Sequence, residues 1–352
     1  MILTLAGGCG EHGRNCFLLE GEEWNLMVDC GMKAGDADPM PHLTCEQITR
    51  TRFVLLTHSH KDHTGAALWL LEQGFTGTFV MTAETARQLP FTLPKARLLP
   101  TPEKPDTFHL DAAKVDYGMS GHCTGAVWFR VKWEDKRVLF SGDYNFYSDV
   151  YEHHPIIDCK ADAAILDSCY PADAWSREAF TEALRDAIAH AKHVLLPVPK
   201  YGRGLDILLL LSRAFPETEV TLDSHLQSEL NHVKSIRKWL RPDAYQALKA
   251  WKPARGLSEH HVLLFSDPQL ESPVGRMVAS VYAQEHYPIL LSGSVDDGTL
   301  AKTLLERGQA SLQILPVHNS DEEYELTKRA NRFKAAIPVH TPRRNHSSEV
   351  VL

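Results

Sequence analysis

The stretch LLTHSHKDHTG, residues 55–65, places His58, His60, Asp62 and His63 within six positions. It follows the apolar run TRFVLLT, which reads as a buried strand, and precedes GAALWLLEQG, whose apolar spacing reads as a helix stopping at Gly74. In an extended segment residues two apart point the same way, so His58 and His60 can reach one cation together. Asp62 and His63 come at the turn into the helix, where adjacent side chains diverge and can face a second cation. Imidazole suits zinc, and carboxylate suits a harder or bridging role. Four residues cannot complete two metal sites, so further donors must come from elsewhere.

Two donors stand out downstream. His122 lies in SGHCTGA, a glycine turn before a strand, and Asp143 lies in LFSGDYN, at the end of an apolar strand. Strand-end loops are where open sheets carry functional residues. His122 would complete the first metal, and Asp143 could bridge both. A lone histidine such as His109 or His286 reads as an ordinary surface or core residue.

Composition sets bounds. The chain has 352 residues and a formal net charge of −8, which excludes bulk-charge coating of nucleic acid or acidic membrane. Any polyanion binding has to be local. Seven scattered cysteines without a Cys-x-x-Cys pair read as reduced thiols. The opening MILTLAGGC lacks a basic segment and reads as a strand and a glycine turn, not a leader. No apolar window reaches the ~18 residues of a membrane span. The expectation is a soluble, cytoplasmic protein with no membrane partner.

Short strands punctuated by glycine fill the first half: MILTLAG, CFLLEG, NLMVDCG, and GAVWFRVKWEDKRVLFSGD as two strands about a turn at 134–136. After Pro171 strands and helices alternate: a helix from WSREAFTEALRDAIAHAKH, a strand VLLPVPK, a helix GLDILLLLSRAF, then strands EVTLDS, HVLLFSD and PILLSGS. This rhythm implies an α/β fold with a parallel sheet flanked by helices. A strand SLQILPVH, a charged helix SDEEYELTKRANRF and a strand AAIPVH close the pattern.

Taken together, H-x-H-x-D-H at 58–63, Gly-His at 121–122 and Ser-Gly-Asp at 141–143 resemble the metallo-β-lactamase superfamily. Asp29 in VDCG fits its early strand-end aspartate, which in that fold lies behind the ligands. Further stretches are similar to its β-CASP nuclease branch, which holds the mRNA 3′-end cleavage nuclease and ribonuclease J. These are LAGGCGEHGRNCFLLEG, AAILDSCYP, LLPVPKYGRGLDILLLL, SGSVDDGTLAKTLL, ILPVHNS and IPVHT, so the resemblance spans essentially the whole chain. It implies an αββα sandwich, residues 1–171 resumed at 311–352, with a β-CASP cap at 172–310 inserted. His318 and His340 lie 22 residues apart, a separation in keeping with the family.

The resemblance also implies roles. His340 would be the last ligand of the second of two zinc ions, manganese being the alternative, beside Asp62, His63 and bridging Asp143. His58, His60 and His122 would hold the first ion. Two such ions, offset by Asp62, Asp143 and a bridging hydroxide, leave about +1, which suits a phosphodiester. The expected reaction is hydrolysis of single-stranded nucleic acid, RNA favoured, leaving a 5′-phosphate and a 3′-hydroxyl, with Asp62, Asp167 and His318 as catalytic residues. His318 would be the acid, held protonated by Asp167. Lys200 and Arg203, and Arg343 with Arg344 just past His340, would grip phosphates. Homodimers fit the family.

The chain departs from the pattern at four points. Asp167 and Asp206 stand where many members have glutamate, Asn319-Ser320 follows His318, and Thr341-Pro342 follows His340 where glycine is usual. The short cap and the acidic charge keep open a small-molecule ester or phosphodiester hydrolase of the same fold. A non-catalytic scaffold in an RNA-processing complex is the second alternative, disfavoured by the intact donor set.

Overall fold

The computed structural model describes residues 1–253, 261–343 and 347–352. The chain divides into two compact units. One comprises Met1–Tyr147, Glu152–Ala172 and His318–Leu352; the other comprises Ser148–Tyr151 and Asp173–Val317.

The first unit holds two sheets. One runs in the order Glu349–Val351, Ile2–Gly7, Cys16–Glu20, Asn25–Val28, Thr51–Leu55, Thr78–Thr82, Ala96–Leu99. Its last four strands are parallel to one another. The other runs Arg332–Val339, Lys160–Asp167, Lys136–Phe140, Val127–Trp133, Ala113–Met119, Asp106–Leu110, and its first three strands are parallel. Side chains alternate along each strand, so each sheet has an inner and an outer face. On the outer face of the first sheet, Leu18, Met27, Val54 and Phe79 pack with Ile48, Ala67 and Leu70 of helices Cys45–Arg50 and Ala67–Glu72. On that of the second, Leu139, Ala164 and Leu166 pack with Tyr324 of helix Asp321–Arg329. The inner faces meet: the Phe17 and Phe140 rings are 6.0 Å apart, and Trp24 stacks on Trp133 at 4.0 Å. This is the expected αββα sandwich.

Parallel pairing decides where the loops go. Val28 is in register with Leu55, Phe140 with Ile165, and Asp167 with Val339. The loops leaving these strands carry Asp29, the 58–63 cluster, Asp143 and His340, and the register delivers them to one edge of the sandwich. The two sheets are tied there by Val127 N–H donating to the carbonyl of Thr57.

The second unit is built on a parallel sheet ordered His193–Pro197, His261–Phe265, Glu219–Leu222. Helix Arg203–Ala214 buries every residue from Gly204 to Leu211, the pattern of a helix surrounded by packing partners. Helices Arg177–His190, Ser224–Val233 and Pro273–Gln284 start at Ser176, Asp223 and Ser272, each accepting a backbone N–H as an N-cap.

One expected strand is largely absent. SLQILPVH contributes only Ser311–Leu312, paired with the two-residue strand Leu290–Leu291. Its apolar residues Ile314, Leu315 and Val317 are buried without a ladder. Among the described residues no helix is long and apolar enough to cross a membrane.

Candidate metal centre

The cluster at 58–63 sits where strand Thr51–Leu55 gives way to the turn Lys61–Thr64. His58 and His63 are buried, at 1% and 2% exposure. His63 is aimed from behind: Asp29 accepts its Nδ1–H at 2.7 Å, which turns Nε2 toward the centre. The same carboxylate accepts the Thr57 backbone N–H at 2.8 Å. Asp29 and His340 both have positive φ, 60° and 63°, an uncommon conformation that Asp and His tolerate better than bulkier residues. Gly142, just before Asp143, has φ 56°, and a Cβ there would come within 2.9 Å of Thr57 Cβ. A close backbone approach therefore fixes Asp143 against the histidine loop.

Four donors, His58, His60, His122 and Asp143, offer atoms all within 4.8 Å of one another. Asp62, His63, Asp143 and His340 do the same. Asp143 belongs to both sets, one oxygen to each side. Its Oδ2 lies 3.3 Å from His58 Nε2 and 3.5 Å from His122 Nε2, and its Oδ1 lies 3.0 Å from His63 Nε2. His122 Nε2 lies 3.1 Å from His60 Nδ1, and His340 Nε2 lies 2.9 Å from Asp62 Oδ2. All seven residues that the sequence singles out as metal-ligating are thus brought together.

The donor set fits a divalent cation. Tetrahedral ligands about 2.0–2.1 Å from an ion lie roughly 3.3 Å from one another, close to these separations. His58 Nε2 is buried without a hydrogen bond, although it faces the cluster. Burial holds the His58 ring neutral, its pKa pushed down to about 3. Asp62 and Asp143 stay well below the usual carboxylate range: burial opposes this, and the charge of His63 overcomes it. Burial would likewise lower His63, but Asp143, Asp62 and Asp29 raise it well above its ordinary value. A largely buried cluster whose ionised carboxylates raise the His63 ring well above its ordinary value calls for positive charge.

Asp167 and His318 stand beside this centre. Asp167 is fully buried at the end of its strand, and Oδ2 accepts backbone N–H groups of Tyr144 and Asn319 at 3.1 Å each. His318 Nδ1 is 3.3 Å from Asp167 Oδ2 and 3.6 Å from Asp143 Oδ2. Burial, then the charge of Asp143, pushes Asp167 up to about 7.

The basic residues are placed differently. Lys200 is exposed, its Nζ 5.2 Å above the Tyr201 ring. Arg203 opens its helix half-buried, with Nε enclosed and its guanidinium so near Gly293 that a Cβ there would collide. Arg343 straps a turn: it donates to the carbonyls of Cys169 and Ser168 at 3.0 Å and to Asp321 at 3.2 Å. At least three of its donors are therefore engaged within the fold. Arg344 lies outside the described residues.

Sequence reasoning passed over three residues at the centre. Asn15 Nδ2 lies 3.0 Å from His63 Nε2 and donates to the carbonyl of Asp62. His12 and Cys169 gather with His340 in a further group of donor atoms within 4.8 Å of one another. None sits in a spaced motif; only the folded loops bring them here.

Comparison with known proteins agrees with the geometry. A family model described as the metallo-beta-lactamase superfamily matches residues 9–197, more than half of the chain. The chain is 28% identical to Integrator complex subunit 11 of Gallus gallus over 59% of its own length and 41% of that protein's. It is 25% identical to the transcription termination factor FttA of Methanosarcina mazei over 63% and 41%. The chain thus spans about two fifths of the length of these curated relatives. A crystal structure of a protein of unknown function from Enterococcus faecalis V583 shares the fold at a TM-score of 0.60, with 12% identity and coverage of 97% and 94%. With its paired donor groups meeting at Asp143 and a family match over more than half its length, the chain belongs to the metallo-β-lactamase superfamily.

Proposed function

We propose that the protein is a metal-dependent phosphodiester hydrolase, a nuclease of single-stranded nucleic acid with RNA favoured, and that its second unit is a β-CASP cap. The observation that carries this reading is the pair of donor groups meeting at Asp143, with His318 and Asp167 alongside. The names of the relatives, an Integrator subunit and a transcription termination factor, favour RNA over other phosphodiesters.

His58, His60, His122 and Asp143 would hold one zinc ion; Asp62, His63, Asp143 and His340 would hold the other, manganese being the alternative. When bound, the pair supplies a water whose pKa falls to about 7 and positive charge for phosphate oxygens. The chain does the rest. Asp143 sets the spacing through its two oxygens, and Asn15 steadies Asp62. His318, held against Asp167, stands ready to protonate the departing 3′-oxygen. Lys200 is the exposed cation for phosphate, with Arg203 and Arg343 contributing what their internal contacts leave.

Labelled single-stranded RNA and DNA, offered beside bis-p-nitrophenyl phosphate, test the reading. RNA cleavage to 5′-phosphate ends is expected. Cleavage of the small diester alone would replace the nuclease with a small-molecule hydrolase. His318→Ala should keep its metal and lose about 10²–10⁴ in turnover; loss of metal would make His318 a ligand.

A further inference from the structure

His12, Cys169 and His340 come from three loops: the one after strand Ile2–Gly7, the one after Lys160–Asp167, and the one after Arg332–Val339. Each offers an atom within 4.8 Å of the other two. The His12 ring packs 4.1 Å from that of His340, and the Cys169 thiol neighbours the His340 ring closely enough to hydrogen-bond with it. His12 Nδ1 lies 3.5 Å from the carbonyl oxygen of His340, a long contact. Donation through it leaves the Nε2 lone pair free, the arrangement by which backbone carbonyls orient metal-binding histidines. His12 and Cys169 are each partly accessible, so a cation can reach them.

The chemistry of the set differs from that of the two groups at Asp143. Those present imidazole and carboxylate; this one adds a sulfur. Thiolate and imidazole together select soft or borderline ions such as zinc, cadmium and cobalt(II), and disfavour magnesium, calcium and manganese. Three protein donors leave a fourth position for water or another ligand.

We propose that Cys169 and His12 join His340 in a thiolate-containing cation site beyond the seven donors of the paired groups. The proposal rests on the reading that His340 binds metal. Binding replaces the Cys169 Sγ–H proton with the cation and releases that proton to solvent. Because His340 also belongs to the Asp62 group, an ion here holds or withdraws a donor of the hydrolytic centre, so excess soft metal has a built-in point of action.

Cobalt(II) added to the metal-free full chain tests it. Visible ligand-field bands report cobalt at the histidine and carboxylate groups; a near-ultraviolet charge-transfer band reports a thiolate donor. The charge-transfer band is expected in the wild type, lost in Cys169→Ser, retained in Cys9→Ser, and reached only at about tenfold or more higher cobalt in His12→Ala. X-ray absorption of the cobalt-loaded wild type should show a sulfur neighbour at about 2.3 Å, a readout that does not depend on any variant folding. Ligand-field bands without charge transfer or sulfur would overturn this site and leave the paired groups standing. A band that survives Cys169→Ser would overturn it too. No cobalt bound at all would remove the metal reading itself, and this site with it.

Discussion

Asp167 and Asp206 invite comparison. Both are buried, at 0% and 2% exposure, both stand where the resembled family commonly has glutamate, and both are pushed up to about 7. In each, burial is the leading cause. Their surroundings differ. Asp167, in the sandwich unit, accepts two backbone N–H groups and faces His318, with the charge of Asp143 adding to burial. Asp206, in the second unit, has Oδ2 buried without a hydrogen bond. The charges of Arg177 and Arg203 favour its ionised form, and that of Asp149 opposes it. Equal titration thus arises from unequal sites. A perturbed carboxyl marks function only where geometry gives its proton somewhere to go.

The comparison predicts crossed phenotypes, and the largest is catalytic. Asp167→Asn keeps an acceptor for the Tyr144 and Asn319 amides but loses the titratable carboxyl opposite His318. Turnover should fall by about 10²–10⁴ with metal content unchanged. Asp206→Asn should leave turnover within about twofold, because Asp206 belongs to none of the donor groups found among the described residues. An equal loss in both variants would break the distinction.

The second effect is on stability, and its sign is fixed. Asp206 has a folded pKa near 7 against an ordinary value of 3.8. The folded state therefore holds a proton that the unfolded chain gives up, and stability falls as pH rises between those values. At about 1.4 kcal/mol per pH unit the span is on the order of a few kcal/mol. Urea midpoints should coincide for wild type and Asp206→Asn near pH 4 and separate by pH 8, with the variant higher. Coincident midpoints at both would show that Asp206 ionises freely in the fold.

The smallest effect concerns Lys200. If it meets phosphate, Lys200→Ala should reduce the salt dependence of RNA binding by about one unit of slope and weaken all sequences alike. An unchanged slope would assign it to solvent.

The candidate ligands were legible because most of them are local. His58, His60, Asp62 and His63 sit in one turn, and His122 and Asp143 follow glycines at strand ends. His340 was reached only through resemblance, since nothing near it in the chain shows which loop it faces. His12, Cys169 and Asn15 escaped for the same reason: their approach to the centre is set by strand register, not by spacing. The helix Cys45–Arg50 and the hairpin Asp106–Leu110 with Ala113–Met119 were also passed over. His109, Lys114 and Asp116 interrupt the apolar signal of that hairpin on its outward face. The closing strand Glu349–Val351 has three residues and gains its identity only by pairing with Ile2–Thr4. Apolar SLQILPVH erred the other way, because a run of buried residues forms a strand only where a partner ladder is on offer.

Anomalous diffraction at the zinc edge, from crystals of the full chain grown with zinc, tests the central claim most directly. The account predicts two peaks flanking Asp143, one among His58, His60 and His122, the other among Asp62, His63 and His340. Density from a single ion, or none between these side chains, would contradict it.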